Sequence, residues 1–435
     1  MSCSLFISIF SGDPMHVDAD LHIHSRYSKA VSKLMIFPIL AEYAKLKGLN
    51  VVGTGDILNR KWEEELLKHA EKVDEGTYEI KSVRFLLTAE VEDSKRVHHV
   101  LIFPSIDAVR EMREHLRKYS RDIDTEGRPH LNLSGAEIAD LANELDVLIG
   151  PAHSFTPWTA LYKEYDSLEE CYGNAKIHFL ELGLSADSQM ADMIKAHHKL
   201  TYLSNSDAHS PQPHRLGREF NRFEVKDATF EEIRKAILKR GGRKVILNAG
   251  LDPRLGKYHL TACSKCYTKY KLEDAKRLNW RCERCGGVIK KGVRDRILEL
   301  ADAEEKPKDR PPYLHLAPLA EIISMVTGKG VETKSVKAVW ERLLKEFGSE
   351  IKVLVDAPIE SIAQLIGEDI AKAIWAFRNE KLIVIPGGGG KYGEIKLPEE
   401  IRRAKIQDLN SVEVKQEDVY YKPKQASILS FLKKK

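Results

Sequence analysis

The chain has 435 residues, which is too long for one ordinary core and predicts two or three domains, unless one of them is a large α/β barrel. Its 69 basic and 65 acidic residues leave a net charge of only +4, so affinity for nucleic acid would have to come from local patches. No apolar run approaches the roughly 18 to 20 residues that cross a bilayer, and we expect no membrane partner and a cytoplasmic location. Charged residues make up 31% of the chain, with Lys and Glu prominent, which is typical of thermophiles.

The first predicted strand begins directly after Met15, so residues 1–15 are interpreted as an extension outside the core. From residue 16 to about 250, short apolar runs alternate with amphipathic segments of helical period, which is typical of βα units in an α/β fold. The pattern predicts seven strands, at 16–24, 49–56, 83–91, 97–103, 146–153, 176–183 and 200–207.

Three further units follow this region. Residues 251–300 surround two CxxC pairs, and the charged, proline-containing run at 304–312 is interpreted as a linker. Residues 301–410 are predicted to be mainly helical and to bind DNA, and residues 411–435 to form a flexible tail. Within the helical unit, the apolar spacing at 356–376 fits either a weak helix-hairpin-helix element or a pair of helices that pack in the core.

Residues of the types that bind metals stand where the predicted strands end. His22 and His24 are separated by one residue, so both side chains point to the same face of the strand. Asp207 and His209 repeat this spacing, and His153 follows another apolar strand. One such pair is often ordinary polar surface, but repetition of the pattern favours a metal site. In a βα barrel, strand ends that are distant in sequence converge on one mouth.

The motifs DADLHIH, TGD, TAE, HHVLIF, GPAH and SDAH occur in this order and resemble those of the polymerase and histidinol phosphatase superfamily of metal-dependent phosphoesterases. The resemblance covers residues 16–225. It implies a distorted seven-stranded βα barrel with two or three divalent ions, Zn²⁺, Mn²⁺ or Mg²⁺, at its C-terminal mouth. Carried over motif by motif, it implies metal ligands at His22, His24, Asp56, Glu90, His99, His153, Asp207 and His209.

Four of these residues, His22, His24, Glu90 and Asp207, are assigned to catalysis as well. The resemblance implies hydrolysis of a phosphate ester by a water that the metals activate. Of the adjacent histidines we choose His99 as the ligand and leave His98 as structural. Asp20 and Asp56 are ligands or partners of ligands, and the second motif departs from the common TDH because Ile57 follows Asp56. Because of this departure, the sequence does not decide between two and three ions.

Three residues near the expected mouth are candidates for DNA contacts. Arg215 and Arg218 lie in the loop after the last metal motif, where guanidinium groups would match phosphate oxygens, although a solvated loop explains them equally well. Trp158 follows His153 by five residues and would stack on a base or wedge into a duplex. Simple packing is the alternative for this ring.

Four cysteines have the spacing C-x2-C-x15-C-x2-C, which presents four thiolates tetrahedrally and predicts a structural Zn²⁺ site. They are Cys263, Cys266, Cys282 and Cys285. Lys and Arg are frequent around them, so the module is expected to touch nucleic acid or to brace its neighbours. Cys171 has no partner in this pattern.

The tail ends in QASILSFL, which has the Q-x-x-h-x-x-a-a pattern of a peptide that binds a sliding clamp (PCNA). Its pattern residues are Gln425, Ile428, Phe431 and Leu432. The order of units resembles archaeal DNA-repair nucleases of the same superfamily. That resemblance implies double- or single-stranded DNA as substrate, cut on the 5′ side of hypoxanthine, uracil, xanthine or an abasic site. A small-molecule phosphatase with an accessory assembly domain, and a DNA-binding adaptor without activity, remain as alternatives.

Overall fold

The computed structural model describes residues 13–415 and 419–420. The predicted clamp-binding residues Gln425, Ile428, Phe431 and Leu432 therefore lie outside the described residues, as does most of the predicted N-terminal extension. Within the described ranges, no helix combines the length and the apolar character needed to cross a membrane.

The seven predicted strands are all present, although each is shorter than predicted and the third is divided in two. A hairpin at residues 71–80, which was not predicted, precedes this third predicted strand. The strands up to residue 203 are β1 Met15–Asp20, β2 Val51–Gly53, β3 Glu71–Asp74, β4 Thr77–Ile80, β5 Val83–Leu86, β6 Thr88–Glu92, β7 His98–Ile102, β8 Leu148–Pro151, β9 Phe179–Glu181 and β10 Thr201–Leu203. The later ones are β11 Phe220–Val225, β12 Lys244–Gly250, β13 Ala262–Cys263, β14 Ile289–Lys290, β15 Tyr313–His315, β16 Ile383–Ile385 and β17 Glu394–Lys396.

Helices alternate with the strands in the first half of the chain and dominate residues 319–403. Those up to residue 237 are α1 Phe37–Lys47, α2 Arg60–His69, α3 Ile106–Arg117, α4 Gly135–Glu144, α5 Leu161–Glu164, α6 Leu168–Tyr172, α7 Ser188–Ala191 and α8 Phe230–Ile237. Those after it are α9 Leu272–Arg277, α10 Val293–Leu300, α11 Leu319–Thr327, α12 Lys334–Phe347, α13 Ile359–Ile366, α14 Glu368–Arg378 and α15 Glu399–Arg403. Local sequence determines where α4 begins. The Ser134 side chain accepts a hydrogen bond from the Glu137 amide, and the Glu137 side chain accepts one from the Ser134 amide.

Apart from β3 and β4, which form a hairpin at the edge of the first sheet, the strands from β1 to β10 are linked one to the next around a ring. β1, β2 and β5 pair in parallel, β5 runs on into β6, and β7 is antiparallel to both β6 and β8. A backbone hydrogen bond from His178 to Ile149 joins β8 to β9, and β9 pairs in parallel with β10. The bond from the Asp207 amide to the His22 carbonyl then links the end of β10 to the end of β1.

The predicted α/β fold is therefore present, but the ring is not one continuous ladder. Its strands belong to three separate hydrogen-bonded sheets, and β11, β12 and β15 extend the first sheet beyond the predicted seven strands. The direction of β7 is antiparallel to that of β6 and of β8. It brings the beginning of β7 to the same rim as the ends of its neighbours.

The C-terminal helices pack directly on this ring. One cluster of buried apolar side chains runs from Phe37 and Trp62 to Leu343 and Ile374 of the helical unit. A buried ion pair crosses the same interface: the Lys47 ammonium lies 2.7 Å from a carboxylate oxygen of Glu350.

The second oxygen of the Glu350 carboxylate accepts a hydrogen bond from the Trp340 indole at 2.7 Å. A surface pair between Arg222 and Asp356 adds a second link between ring and helices. In addition, β15 pairs in parallel with β12, so the residues that directly follow the predicted linker belong to the sheet.

The segment around the four cysteines forms a small unit with its own core. β13 pairs with β14, and the buried core consists of Cys263, Tyr270, Ala275, Cys282 and Ile289. This core is far smaller than that of the ring.

Candidate active site

Two histidines at the exit of β1 form the centre of the site. The side chains of His22 and His24 are buried, and each is held at Nδ1 by a carboxylate. Glu181 lies 2.9 Å from His22 Nδ1, and Asp56 lies 3.0 Å from His24 Nδ1. When Nδ1 donates its proton to a carboxylate, Nε2 keeps a lone pair and the ring is fixed in orientation. Both Nε2 atoms are therefore presented as ligands.

Glu90, from β6, lies between two groups of histidines. Its Oε1 is 2.9 Å from His98 Nδ1 and 3.1 Å from His153 Nε2. Its Oε2 is 3.3 Å from His24 Nε2, and His22 Nε2 is 3.5 Å from Oε1. The potential ligand atoms of His22, His24 and Glu90 lie within 4.8 Å of one another, as do those of Glu90, His98 and His153. The carboxylate is thus placed to bridge two ions.

A third group completes the cluster. His24, Asp207 and His209 also bring their ligand atoms within 4.8 Å of one another. Asp207 Oδ1 lies 3.1 Å from His24 Nε2. The predicted ligands His22, His24, Glu90, His153, Asp207 and His209 therefore meet at one rim of the ring.

The donor atoms fit divalent cations. His22 Nε2, His24 Nε2 and Asp207 Oδ1 are buried and have no hydrogen-bond partner among the described residues. A buried polar atom without a partner costs about 1 to 3 kcal/mol, and an ion at the centre would satisfy all three atoms at once. Imidazole nitrogens together with carboxylates are ligands that Zn²⁺ and Mn²⁺ accept.

The charges of the site also favour bound cations. Burial alone would lower the pKa of His22, but the carboxylates of Glu181 and Glu90 outweigh this effect and raise that pKa to about 9. Burial would raise the pKa of Asp207, yet the neighbouring His24 and His22 hold it far below its usual value. The carboxylates thus attract positive charge, which is either protons on the rings or bound metal.

The structure places His98, and not the predicted ligand His99, beside Glu90. Adjacent residues on a strand point to opposite faces, and on β7 it is His98 that faces Glu90. His99 points to the other side, where its Nδ1 lies 2.7 Å from the Tyr172 hydroxyl and its Nε2 lies 3.4 Å from Asp93.

Asp56 belongs to no candidate metal-binding group among the described residues. One carboxylate oxygen of Asp56 contacts His24, and the other accepts hydrogen bonds from the amide and hydroxyl of Ser25 and the hydroxyl of Ser28. These contacts place Asp56 as a partner that orients His24, which is one of the two roles predicted for it. Asp20 is occupied in a similar way, because Ser206 and the Gly217 amide hydrogen-bond to it.

Sequence reasoning missed one charged group at the rim. The Arg128 guanidinium lies 2.9 Å from Glu90 Oε2, and 30% of its side chain is exposed. Its loop is fixed along β6, because the Glu92 amide donates to the Pro129 carbonyl and the Leu131 amide donates to the Glu92 carbonyl. An arginine in a loop carries no periodic signal, so nothing in the sequence distinguishes it from a solvated charge.

The three predicted DNA contacts have different positions. Arg218 Nε donates to the Ser206 carbonyl at 3.1 Å, which holds this side chain beside the SDAH motif. Arg215 is exposed on the same loop. Trp158 has 57% of its surface exposed and meets the ring of Tyr258 edge-on, at 5.3 Å between centroids.

The four predicted zinc ligands come together as expected from their spacing. Cys263 and Cys285 place their sulfurs 3.5 Å apart, and so do Cys266 and Cys282. All four sulfurs lie within 4.8 Å of one another, a separation that suits tetrahedral thiolates about 2.3 Å from a Zn²⁺ ion.

Comparison with known proteins places the chain among nucleases. Residues 318–381 match the family described as the MJ0043 C-terminal domain. The uncharacterised protein MJ0043 of Methanocaldococcus jannaschii is 55% identical over 253 residues, which are 57% of this chain and 32% of that protein. The chain thus spans about a third of the length of that relative.

Two solved structures cover nearly the whole chain. The lesion-specific endonuclease PfuEndoQ from Pyrococcus furiosus is 73% identical, over 92% of this chain and 100% of its own, with a TM-score of 0.91. A structure of endonuclease Q in complex with a 27-mer duplex substrate, with an abasic lesion at the active site, is also 73% identical, over 91% of this chain and 100% of its own, with a TM-score of 0.85. This chain therefore belongs to the endonuclease Q family.

Proposed function

We propose that the protein is a DNA-repair endonuclease that hydrolyses the phosphodiester on the 5′ side of a damaged nucleotide. The substrates would be hypoxanthine, uracil, xanthine and abasic sites in DNA. The observation that carries the proposal is the position of Glu90 between two histidine groups, in a chain similar to a nuclease whose structure holds an abasic lesion at its active site.

Two ions are the minimum that the donor set supports. His22, His24, Asp207 and His209 would hold one side of the centre, His98 and His153 the other, and Glu90 would bridge them. Bound divalent ions in such a pair lower the pKa of a coordinated water and stabilise the charge that develops on phosphate oxygens. The protein's contribution is to fix its ligands before substrate binds, through Glu181 and Asp56.

Arginines at the rim would hold the substrate phosphate. The Arg128 guanidinium donates a hydrogen bond to Glu90, and 30% of this side chain is exposed. Metal ions at Glu90 would compete for the same carboxylate and leave this guanidinium available for an anionic ligand. Guanidinium groups pair with phosphate oxygens through two parallel hydrogen bonds. Arg218 would support the phosphate from the opposite side of the motif loop.

The decisive experiment compares single-lesion duplexes with a small phosphate ester. End-labelled duplexes that contain deoxyinosine, deoxyuridine or an abasic analogue, and an unmodified control, are incubated with protein and Mg²⁺, Mn²⁺ or Zn²⁺. We expect one incision on the 5′ side of each lesion and no cleavage of the unmodified duplex. Hydrolysis of p-nitrophenyl phosphate without any incision would identify a small-molecule phosphatase. DNA binding without turnover of either substrate would identify an adaptor.

The tail is proposed to bind a sliding clamp of the PCNA type. The sequence pattern combines one polar side chain, that of Gln425, with three apolar ones, those of Ile428, Phe431 and Leu432. All four residues lie outside the described residues. Deletion of residues 425–435, or replacement of Phe431 and Leu432 by Ala, should remove clamp binding in calorimetric titration. Nicking of short naked duplexes should stay within about twofold. The Ser430→Ala variant, which leaves the pattern intact, should bind normally; equal affinity of all variants would exclude this role.

A further inference from the structure

Glu181, at the end of β9, contacts histidines on both sides of the metal cluster. Its two carboxylate oxygens lie 3.0 and 2.9 Å from Nδ1 of His22, and Oε2 also accepts a hydrogen bond from the His153 backbone amide at 2.7 Å. The Nε2 atoms of His22 and His153 in turn lie 3.5 and 3.1 Å from Glu90, the proposed bridge between two ions. A displacement of Glu181 would therefore disturb the ligands of both ions.

One buried side chain fixes the position of Glu181. Asn205, two residues before Asp207, donates a hydrogen bond from its side-chain amide to Glu181 Oε1 at 2.7 Å. Its side-chain carbonyl accepts a hydrogen bond from the backbone amide of Leu21 at 2.9 Å. Leu21 directly precedes His22 in the chain. Asn205 thus contacts both the carboxylate that orients the His22 ring and the backbone that carries this ring.

Two further asparagines determine which end of the Asn205 side chain faces Glu181. Asn221, on β11, donates to Asn205 Oδ1 at 3.0 Å, so this oxygen accepts from two N–H groups and the NH₂ group is left for the carboxylate. Asn248, on β12, donates to Asn221 Oδ1 at 3.0 Å. All three asparagines are buried. Polar groups that satisfy one another in this way, away from water, hold a single arrangement.

We propose that Asn205 is a positioning residue of the metal site, which holds Glu181 so that His22 and His153 are in place before the ions bind. The inference rests on the proposed function, because it concerns the same metal site. Groups that bind the second ring nitrogen of a histidine ligand typically change metal affinity or activity by about 10- to 100-fold when they are removed. Asn205 acts on such a group, and it touches no ligand side chain of the cluster.

Metal affinity tests this role without relying on catalysis. The full-length protein is dialysed against EDTA, and binding of added Mn²⁺ is followed by electron paramagnetic resonance. In Asn205→Ala we expect Mn²⁺ binding to weaken about 10- to 100-fold, and kcat on a deoxyuridine duplex to fall by a similar factor. KM for DNA should stay within about twofold, since the change removes no group that faces the substrate.

Two further variants separate positioning from general support of the fold. Asn205→Asp keeps the volume and the acceptor for the Leu21 amide but places an oxygen against Glu181, so it should show the same loss of Mn²⁺ affinity with less disturbance of packing. Asn248→Ala is the matched control, because it removes a buried asparagine of the same network that contacts neither Glu181 nor Leu21. It should lower the unfolding temperature and keep the wild-type affinity for Mn²⁺.

Two results would overturn the inference while leaving the proposed function intact. Wild-type Mn²⁺ affinity in Asn205→Asp would show that Glu181 does not depend on this amide. Equal weakening in Asn205→Asp and Asn248→Ala would show that the asparagines act only through the stability of the fold. Failure of the wild type to cut any lesion duplex would instead remove the proposed function, and this inference with it.

Discussion

The ring cluster of histidines and carboxylates and the four-cysteine module both have side chains that suit metal ions, and they differ in what surrounds those side chains. The ring cluster draws its ligands from strand ends between residues 22 and 209, over a large apolar core, and carboxylates orient its central rings. The cysteine module draws all four ligands from residues 263–285, and its core contains five buried residues.

The difference in core size predicts two roles for metal ions, catalysis at the ring cluster and folding in the cysteine module. The ring shares a large apolar core with the C-terminal helices, so its ions are expected to serve chemistry and to leave when ligands are lost, without unfolding the chain. The cysteine module has too small a core to be stable alone, so bound zinc is expected to contribute to folding directly. Substitutions at five positions test this contrast.

The largest effect on activity is expected from Asp207→Ala. Asp207 has a buried oxygen at the centre of the ring cluster without a hydrogen-bond partner in the described part of the chain. Its loss should reduce cleavage on the order of a thousand-fold or more, since metal ions supply several kcal/mol of transition-state stabilisation. Thermal unfolding and DNA binding should change little. Asp140→Ala, which removes an exposed carboxylate on α4, is the matched control. If Asp207→Ala cleaves DNA at the wild-type rate, Asp207 is not a metal ligand needed for catalysis.

Adjacent histidines on β7 offer the sharpest test of the corrected ligand set. His98→Ala should lower kcat about 100-fold and release metal measurable by elemental analysis, because His98 faces Glu90. His99→Ala should leave kcat within a few-fold but lower the unfolding temperature. That change strips Asp93 and Tyr172 of a partner in the core, at a cost of about 1 to 3 kcal/mol. The reverse pattern would restore the choice made from sequence.

Arg128→Ala should have a smaller effect, about a 10- to 100-fold loss in kcat/KM. This range corresponds to one charge-assisted hydrogen bond to phosphate. Arg128→Lys keeps the charge without the planar donor pair and should fall between wild type and Ala. Arg121→Ala removes an exposed arginine seven residues earlier and serves as the control. If Arg128→Ala and Arg121→Ala behave alike in single-turnover assays, Arg128 has no contact with the substrate.

Cys263→Ser should affect activity least and stability of its own module most. We expect one zinc fewer per chain, greater protease sensitivity around residues 263–285, and DNA affinity about tenfold weaker, since zinc binding is coupled to folding. Cleavage at saturating DNA should stay within a few-fold. Glu273→Ala, which removes an exposed carboxylate of the same module outside the four-cysteine group, should keep the full zinc content. Unchanged DNA affinity after zinc loss would show that the module only braces its neighbours.

Much of the ring site could be predicted because the relevant signals are local. The spacing in HIH and SDAH puts two side chains on one face, and the strand exits bring such pairs to a common rim. The CxxC pairs are equally local. These patterns need no knowledge of how the chain folds at long range.

The errors have a physical cause in each case. All five residues of β7 are buried, so no alternation of polar and apolar side chains shows which of His98 and His99 faces the cluster. Asp56 has the right residue type for a ligand, but the sequence does not reveal that its oxygens are occupied by His24 and two serines. The interrupted sheet depends on long-range pairing, which a single sequence does not encode in any short pattern.

The ion pair between Lys47 and Glu350 limits how this protein can be divided. A gene cut after residue 250 would yield a ring whose Lys47 ammonium had lost its carboxylate, with the surrounding apolar face exposed to water. Water would solvate that ammonium, so the loss of stability would come mainly from the exposed apolar face, whose burial contributes about 25 cal/mol for each Å². A chimaera that carries the ring of a relative should therefore fold only when it also carries the C-terminal helices of that relative.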